Sequence, residues 1–174
     1  MSQIAILVDG SCNPQSGVGI GAYLVVPLAQ LELPLDPITK KKLVKKIQLR
    51  KFNHTSSTTL EIQTALWALE NRLLEAANHS QSITLFTDSK SLFELAQRRP
   101  KLEANQFCSK KTAEPLHNAD LYRRYFSLTD QLELEVVKVK GHGPKGLRND
   151  AETIFSLVDK QARKELRALD RALP

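Results

Sequence analysis

The stretch Ile4-Ala5-Ile6-Leu7-Val8 constrains this chain more than any other. Its five apolar residues run unbroken and end on Asp9 and Gly10. A run that short and that apolar reads as a central strand buried on both faces. Such a strand should not close on a charge without a use for it, because a desolvated carboxylate is costly unless it is paired. Gly10-Ser11 and Asn13-Pro14 then break the chain at once. Taken alone, Asp9 reads equally well as a turn cap and as part of a site. Ile83-Thr84-Leu85-Phe86 repeats the context, a short apolar strand followed by Thr87, Asp88 and Ser89.

The rest of the chain supplies partners for these two strands. Val18 to Val26 is a second apolar strand, joined to the first through the Gln15-Ser16-Gly17 turn as a hairpin. Pro27, Pro34 and Pro37 mark the next segment as loop, so residues 27–43 read as an insertion between strands 2 and 3. Residues 39–51 hold seven Lys/Arg and no acid. Ile47, Leu49 and Phe52 nearly alternate with Lys46, Gln48, Arg50 and Lys51. That predicts a third strand over 44–53 with one basic face. The face reads either as a lysine-protected edge or as a nucleic-acid contact.

Ser56-Ser57-Thr58-Thr59 opens a helix over 58–77. Its apolar residues Leu60, Ala65, Leu66, Leu69, Leu73 and Leu74 recur at helical spacing, and Glu61 is expected in the first turn. A helix capped by Asp88 or Ser89 should run through Ala96 and end at Arg98-Arg99-Pro100-Lys101. Residues 100–118 read as an irregular, basic connection, 120–129 as a helix and 132–139 as a strand. Gly141 to Gly146 is a flexible loop, and Asn149 or Asp150 starts a long terminal helix. The order β-β-β-α-β-α-α-β-α implies one α/β domain over residues 1–174, a mixed sheet flanked by helices.

Composition removes some functional classes. No apolar run approaches the roughly 18 residues of a membrane helix. The N-terminus lacks the basic start and cleavage site of a signal peptide, so a cytoplasmic location is expected. Cys12 and Cys108 have no metal-type spacing, and a disulfide is not expected in a reducing compartment. A net charge of +6 and a pI near 9.4 suit a polyanion.

The acids carry the chemistry. Asp9 and Asp88 end two strands, Glu61 begins a helix, and Asp150 and Asp159 lie on the helix after the Gly/His loop. Neighbouring strand ends in an open α/β sheet converge on one edge. Carboxylates gathered there repel one another. The usual resolution is Mg²⁺ or Mn²⁺, hard cations that take oxygen ligands. Two such ions about 4 Å apart activate a water and stabilise the leaving oxygen in phosphodiester cleavage.

Four motifs now carry a resemblance. VDGSCNP at 8–14, TLE at 59–61, FTDSKS at 86–91 and VKGH at 139–142 followed by VDKQARK at 158–164 resemble type 1 ribonuclease H, in order and over nearly the whole chain. HNADLYRR at 117–124 resembles a family helix. The resemblance implies the RNase H-like fold, a mixed five-stranded sheet flanked by helices. It implies an Asp-Glu-Asp-Asp centre in which Asp9 bridges two Mg²⁺ ions (Mn²⁺ substituting), Glu61 and Asp88 complete one site, and a terminal-helix Asp completes the other. His142 matches the loop histidine that shuttles protons or aids product release.

The chain departs from the family at the fourth acid. Asp150 lies eight residues after His142 and suits the spacing, but it also suits a helix cap. Asp159 lies seventeen after and suits the local pattern, so it is preferred. Hydroxyls at Ser57, Thr58 and Thr59 stand where the family often has asparagines, and Thr58 is the expected contact there. Ser11, Cys12 and Asn13 match the turn that meets RNA 2′-hydroxyls. Lys90 suits a phosphate. The expected activity is cleavage of the RNA strand of RNA–DNA hybrids; the sequence leaves the oligomeric state open, with a monomer as the default. Two other readings stay open: a weak or inactive nucleic-acid-binding module of the same fold, and a related nuclease acting on another nucleic acid.

Overall fold

The computed structural model describes residues 2–75, 81–140 and 150–172. Five strands form one sheet: β1 (Ser2–Asn13), β2 (Val18–Pro27), β3 (Gln48–Phe52), β4 (Gln81–Thr87) and β5 (Glu133–Lys138). Their order is β3-β2-β1-β4-β5. β1, β2 and β3 are antiparallel neighbours, while β4 and β5 run parallel to β1. The sheet is therefore mixed and five-stranded, as expected.

β1 lies at the centre because it is apolar on both sides. Ile4, Ile6 and Val8 join one buried cluster, whereas Ala5 and Leu7 join the other. The first side is covered by α2 (Ser57–Glu75), the short α3 (Lys90–Phe93), α4 (Leu95–Ala104) and α5 (Ala119–Thr129). The second is covered by α6 (Asp150–Ala172), α1 (Pro37–Lys46) and a 3-10 turn over Leu28–Glu32. α6 is strongly amphipathic: Ile154, Phe155, Leu157, Val158, Ala162 and Leu166 are buried.

Three local expectations are corrected. Residues 44–46 are the end of α1, and the third strand begins at Gln48. The cause lies in the stretch expected to be loop. Asp36 caps the helix by accepting from the Ile38 and Thr39 amides, and Pro37 stands at the first helical position, where its missing N–H costs nothing. β3 also lacks a single basic face: Arg50 stacks over Phe52 and Trp67 on the α2 side, so its neighbour Lys51 projects to the other. After Asp88 the chain makes α3, turns at Glu94, and continues as α4 to Ala104 with Pro100 inside. Buried Leu102 anchors that last turn, and Arg99 ties it to Glu103 and Asp130. The irregular connection therefore covers only residues 105–118.

The N-terminal half of α2 approaches the sheet closely because it meets glycines. A Cβ at Gly10 would sit 2.8 Å from Leu60 Cδ2, and one at Gly19 would sit 2.8 Å from the same atom. A Cβ at Gly21 would collide with Thr64 Oγ1 and lie 2.9 Å from the Phe52 ring. Thr64 cannot yield, since it is fully buried and its hydroxyl donates to the Leu60 carbonyl at 2.7 Å. Gly21→Ala is expected to destabilise the protein by about 1–3 kcal/mol, the usual cost of overpacking a tight contact. Chemical denaturation of the two proteins measures it.

Candidate active site

Strand parity decides which acids meet. Asp9 follows Ala5 and Leu7 in alternation, so it projects to the α6 side. The β1–β4 register pairs Leu7 with Phe86, which two residues further places Asp88 opposite Asp9. α6 crosses this side and brings Asp159 into a side-chain hydrogen bond with Asp9. Asp9 thus lies between Asp88 and Asp159, both of which act on it electrostatically. Glu61 arrives from the α2 side, senses the Asp88 charge, and lines a small cleft with Val8, Asp9, Thr64 and Thr87. Glu61 is the fifth residue of α2, which has no acid in its first turn, so the expectation of a first-turn helix-dipole role is corrected.

The electrostatics reflect this crowding. Burial, then the charge of Asp88 and the contact with Asp159, push the Asp9 carboxyl from 3.8 up to about 8, against a lowering hydrogen bond from the Gly10 backbone. Burial also raises Glu61, and Asp88 adds to it, while the Ser89 hydroxyl works in the opposite direction. The raised Asp9 carboxyl therefore favours its protonated form where a cation would remove the need for the proton.

Two neighbours orient these acids: Ser89, expected from the sequence only as a helix cap, and Arg163, not singled out there. Ser89 is buried, accepts from the Leu92 amide at 3.1 Å as the cap of α3, and donates to Glu61 Oε2. Arg163 Nε donates to Asp159 Oδ1 at 2.7 Å. The second is legible in the sequence, because Asp159 and Arg163 are four apart on one helix face. The first joins residues 28 apart in sequence and has no local signal.

The other candidates are spread around this cluster. Asp150 is exposed in the first turn of α6, about 13 Å along the helix from Asp159 at 1.5 Å per residue. Ser11, Cys12 and Asn13 are half-buried at the end of β1. Cys12 Sγ contacts the Thr55 carbonyl at 3.7 Å, and burial raises its thiol pKa. Asn13 Oδ1 accepts from the Gln15 and Ser16 amides, and its Nδ2 donates to Asp170 at 3.2 Å. Thr58 is exposed on α2. Lys90 is exposed at the start of α3 and pairs with Glu94 at 3.7 Å. His142 lies outside the described residues.

The donor set suits a hard divalent cation, since all four side chains offer carboxylate oxygens. Among the described residues, no three acidic, His or Cys side chains stand as a ready-made metal cage. The acids are turned toward each other, Ser89 and Arg163 instead.

The sequence model of the RNase H family matches residues 1–173. The chain belongs to the RNase H family. A ribonuclease H of Rippkaea orientalis is 28% identical over 144 residues, covering 80% of this chain and 75% of that protein. LC9-RNase H1, described as a type 1 RNase H with the type 2 active-site motif, shares the fold at a TM-score of 0.63 and 17% identity, over 94% of this chain and 74% of that one. The native prototype foamy virus protease-reverse transcriptase matches at 0.66 and 16% identity, over 94% of this chain but only 21% of the viral one. A foamy viral protease-reverse transcriptase in complex with dsDNA matches at 0.57 and 13% identity, over 92% and 93%. The RNase H fold is therefore shared with these structures, and family and fold together make the chain a ribonuclease H enzyme.

The crowded acids yield a prediction for the metal-free protein. At pH 7 folded Asp9 holds a proton, while the unfolded residue, at 3.8, does not. Folding thus takes up a proton, and stability falls as pH rises from about 4 to about 8. Asp9→Asn removes that penalty. In EDTA at pH 7 it is expected to gain at least about 1 kcal/mol, or about 2–4 °C in Tm, and to lose the slope. Thermal melts across this pH range measure both.

Proposed function

We propose that this RNase H cleaves the RNA strand of RNA–DNA hybrids at the cluster of Asp9, Glu61, Asp88 and Asp159, with two Mg²⁺ ions, or Mn²⁺ in their place. The observation that carries the reading is the position of Asp9, half-buried and acted on by both Asp88 and Asp159. A protein gains nothing in stability by assembling such a cluster, whereas a phosphodiester hydrolase needs it. When bound, the ions supply activation of a water and stabilisation of the leaving oxygen.

The chain's own residues do the rest. Asp9 faces both halves of the centre, with Asp88 on one side and Asp159 on the other. Ser89 restrains Glu61 through α3, and Arg163 restrains Asp159 along α6, so both carboxylates are oriented before substrate arrives. Asp150, exposed and about 13 Å further along α6, is left to favour the helix dipole from the first turn. Ser11, Cys12 and Asn13 offer backbone and side-chain groups to RNA 2′-hydroxyls, the feature that separates RNA from DNA. Thr58 reaches the sugar or base edge and Lys90 a phosphate. His142 accepts or returns a proton as product leaves. Water attack on phosphorus leaves a 5′-phosphate and a 3′-hydroxyl. Free Cys12 and Cys108 suit the reducing cytoplasm.

Two substitutions test the assignment on a labelled hybrid in Mg²⁺. Asp88→Asn and Asp159→Asn should each lower the cleavage rate by more than about a thousandfold, the scale on which parts of one catalytic unit fail. Asp150→Asn should stay within about twofold of wild type, as an exposed position away from the chemistry does. Equal losses at Asp150 and Asp159 would remove the assignment, and an intact hybrid with wild-type protein in both Mg²⁺ and Mn²⁺ would remove the substrate.

A further inference from the structure

We propose that α1, together with Lys51 on the next strand, is an auxiliary docking surface for the phosphate backbone of a nucleic-acid duplex held at the carboxylate cluster. The inference rests on the nucleic-acid reading above.

α1 breaks the local rules of helix electrostatics. Its sequence PITKKKLVKK contains five lysines and no acid. Lys41 and Lys45, Lys42 and Lys46, and Lys42 and Lys45 stand at spacings where like charges repel. Only Lys45 and Lys46 stand in the last turn, where the helix dipole favours a cation; Lys40, Lys41 and Lys42 have no such compensation. Asp36, which caps the helix through the Ile38 and Thr39 amides and the Thr39 hydroxyl, brings one negative charge against five lysines. No ion pair among the described residues joins any of the five lysines to an acid. Buried Leu43 and partly buried Val44 hold the helix down in spite of this.

The charge is also directed. At 100° per residue, Ile38, Lys41, Lys42 and Lys45 form one stripe opposite Leu43. All four are exposed, Ile38 at 67%. Leu43 anchors the helix in the hydrophobic cluster on the α6 side of the sheet, the side to which Asp9 projects. Lys51 reaches the same side in register, since it pairs with Ile20, and Ile20 pairs with Ser11. Two strand spacings put Lys51 about 10 Å from Ser11, about three phosphate steps along one strand of a duplex. The basic surface thus lies on the catalytic side, where a long duplex finds it and a short one does not. A polyanion relieves the repulsion that the fold leaves uncompensated.

The test compares Asp88→Asn with the same protein carrying Lys41→Gln, Lys42→Gln and Lys45→Gln. Both are titrated with RNA–DNA hybrids of about 10 and about 30 base pairs between 50 and 200 mM salt, where each phosphate contact contributes about 0.9 to the slope of log K against log salt. The triple substitution should make the long-hybrid slope shallower by about 2, for two to three lost contacts, and leave the short-hybrid slope unchanged. Its Tm at low salt should equal or exceed that of the parent, which shows that the helix still folds. An unchanged long-hybrid slope overturns the proposal. Lysine-dependent capture on phosphatidylserine vesicles with an unchanged slope overturns it in favour of a lipid surface. These failures are separable from failure of the enzymatic reading, which shows as an uncut hybrid with the wild-type protein.

Discussion

The burial of β1 on both faces governs everything else in this protein. A strand with apolar residues at successive positions needs a layer on each side, and the two hydrophobic clusters supply them. Parity then assigns each side chain its destination. Ile4, Ile6 and Val8 go to α2, Ala5 and Leu7 to α6, and Asp9 inherits the α6 side as the next member of its series. The parallel register with β4 carries Asp88 to the same level. The site is therefore a continuation of the core pattern, changed from apolar to acidic where the strands run out.

α2 must come close enough for Glu61 to reach that edge. The close approach is made by what the sheet omits, side chains at Gly10, Gly19 and Gly21. The glycines give up strand propensity, which normally weakens a strand. Here they let Leu60 and Thr64 pack on backbone. Glu61, between those two in sequence, is then restrained by Ser89 from the start of α3. Among the described residues, backbone proximity and one hydroxyl stand in for a direct pairing of Glu61 with a cation.

Much of this is legible in the sequence, and the reasons are specific. Short apolar runs ending in Asp9 and Asp88 identify the strands and their acids, because two-sided burial leaves a strong composition signal. Glu61 stands out too, but its place in the helix is off by one residue, which moves it out of the first turn, since any of four adjacent Ser and Thr residues can begin a helix. α1 reads as loop when prolines are taken as breakers, although Pro37 behind Asp36 is a helix start. The end of α4 is misplaced for a related reason: Pro100 is tolerated because Leu102 and Arg99 hold the turn beyond it. Links such as Thr59 to Asn118 and Asn13 to Asp170 depend on tertiary structure alone, at separations of 59 and 157 residues.

Asp9 and α1 present one physical theme with opposite signs. Each concentrates like charge where the fold gives no adequate counter-charge. At Asp9 burial sharpens the conflict, and a proton on Asp9 itself is the partial remedy within the chain. At α1 exposure softens it, and solvent and salt are the remedy. A sequence consistent at every level would avoid both, so departures of this kind point to function rather than to stability. A nucleic acid with its divalent cations brings both missing charges at once, cations for the carboxylates and phosphates for the lysines. Binding substrate then relieves two unfavourable terms that the free protein carries, and part of the affinity comes from that relief rather than from newly formed contacts.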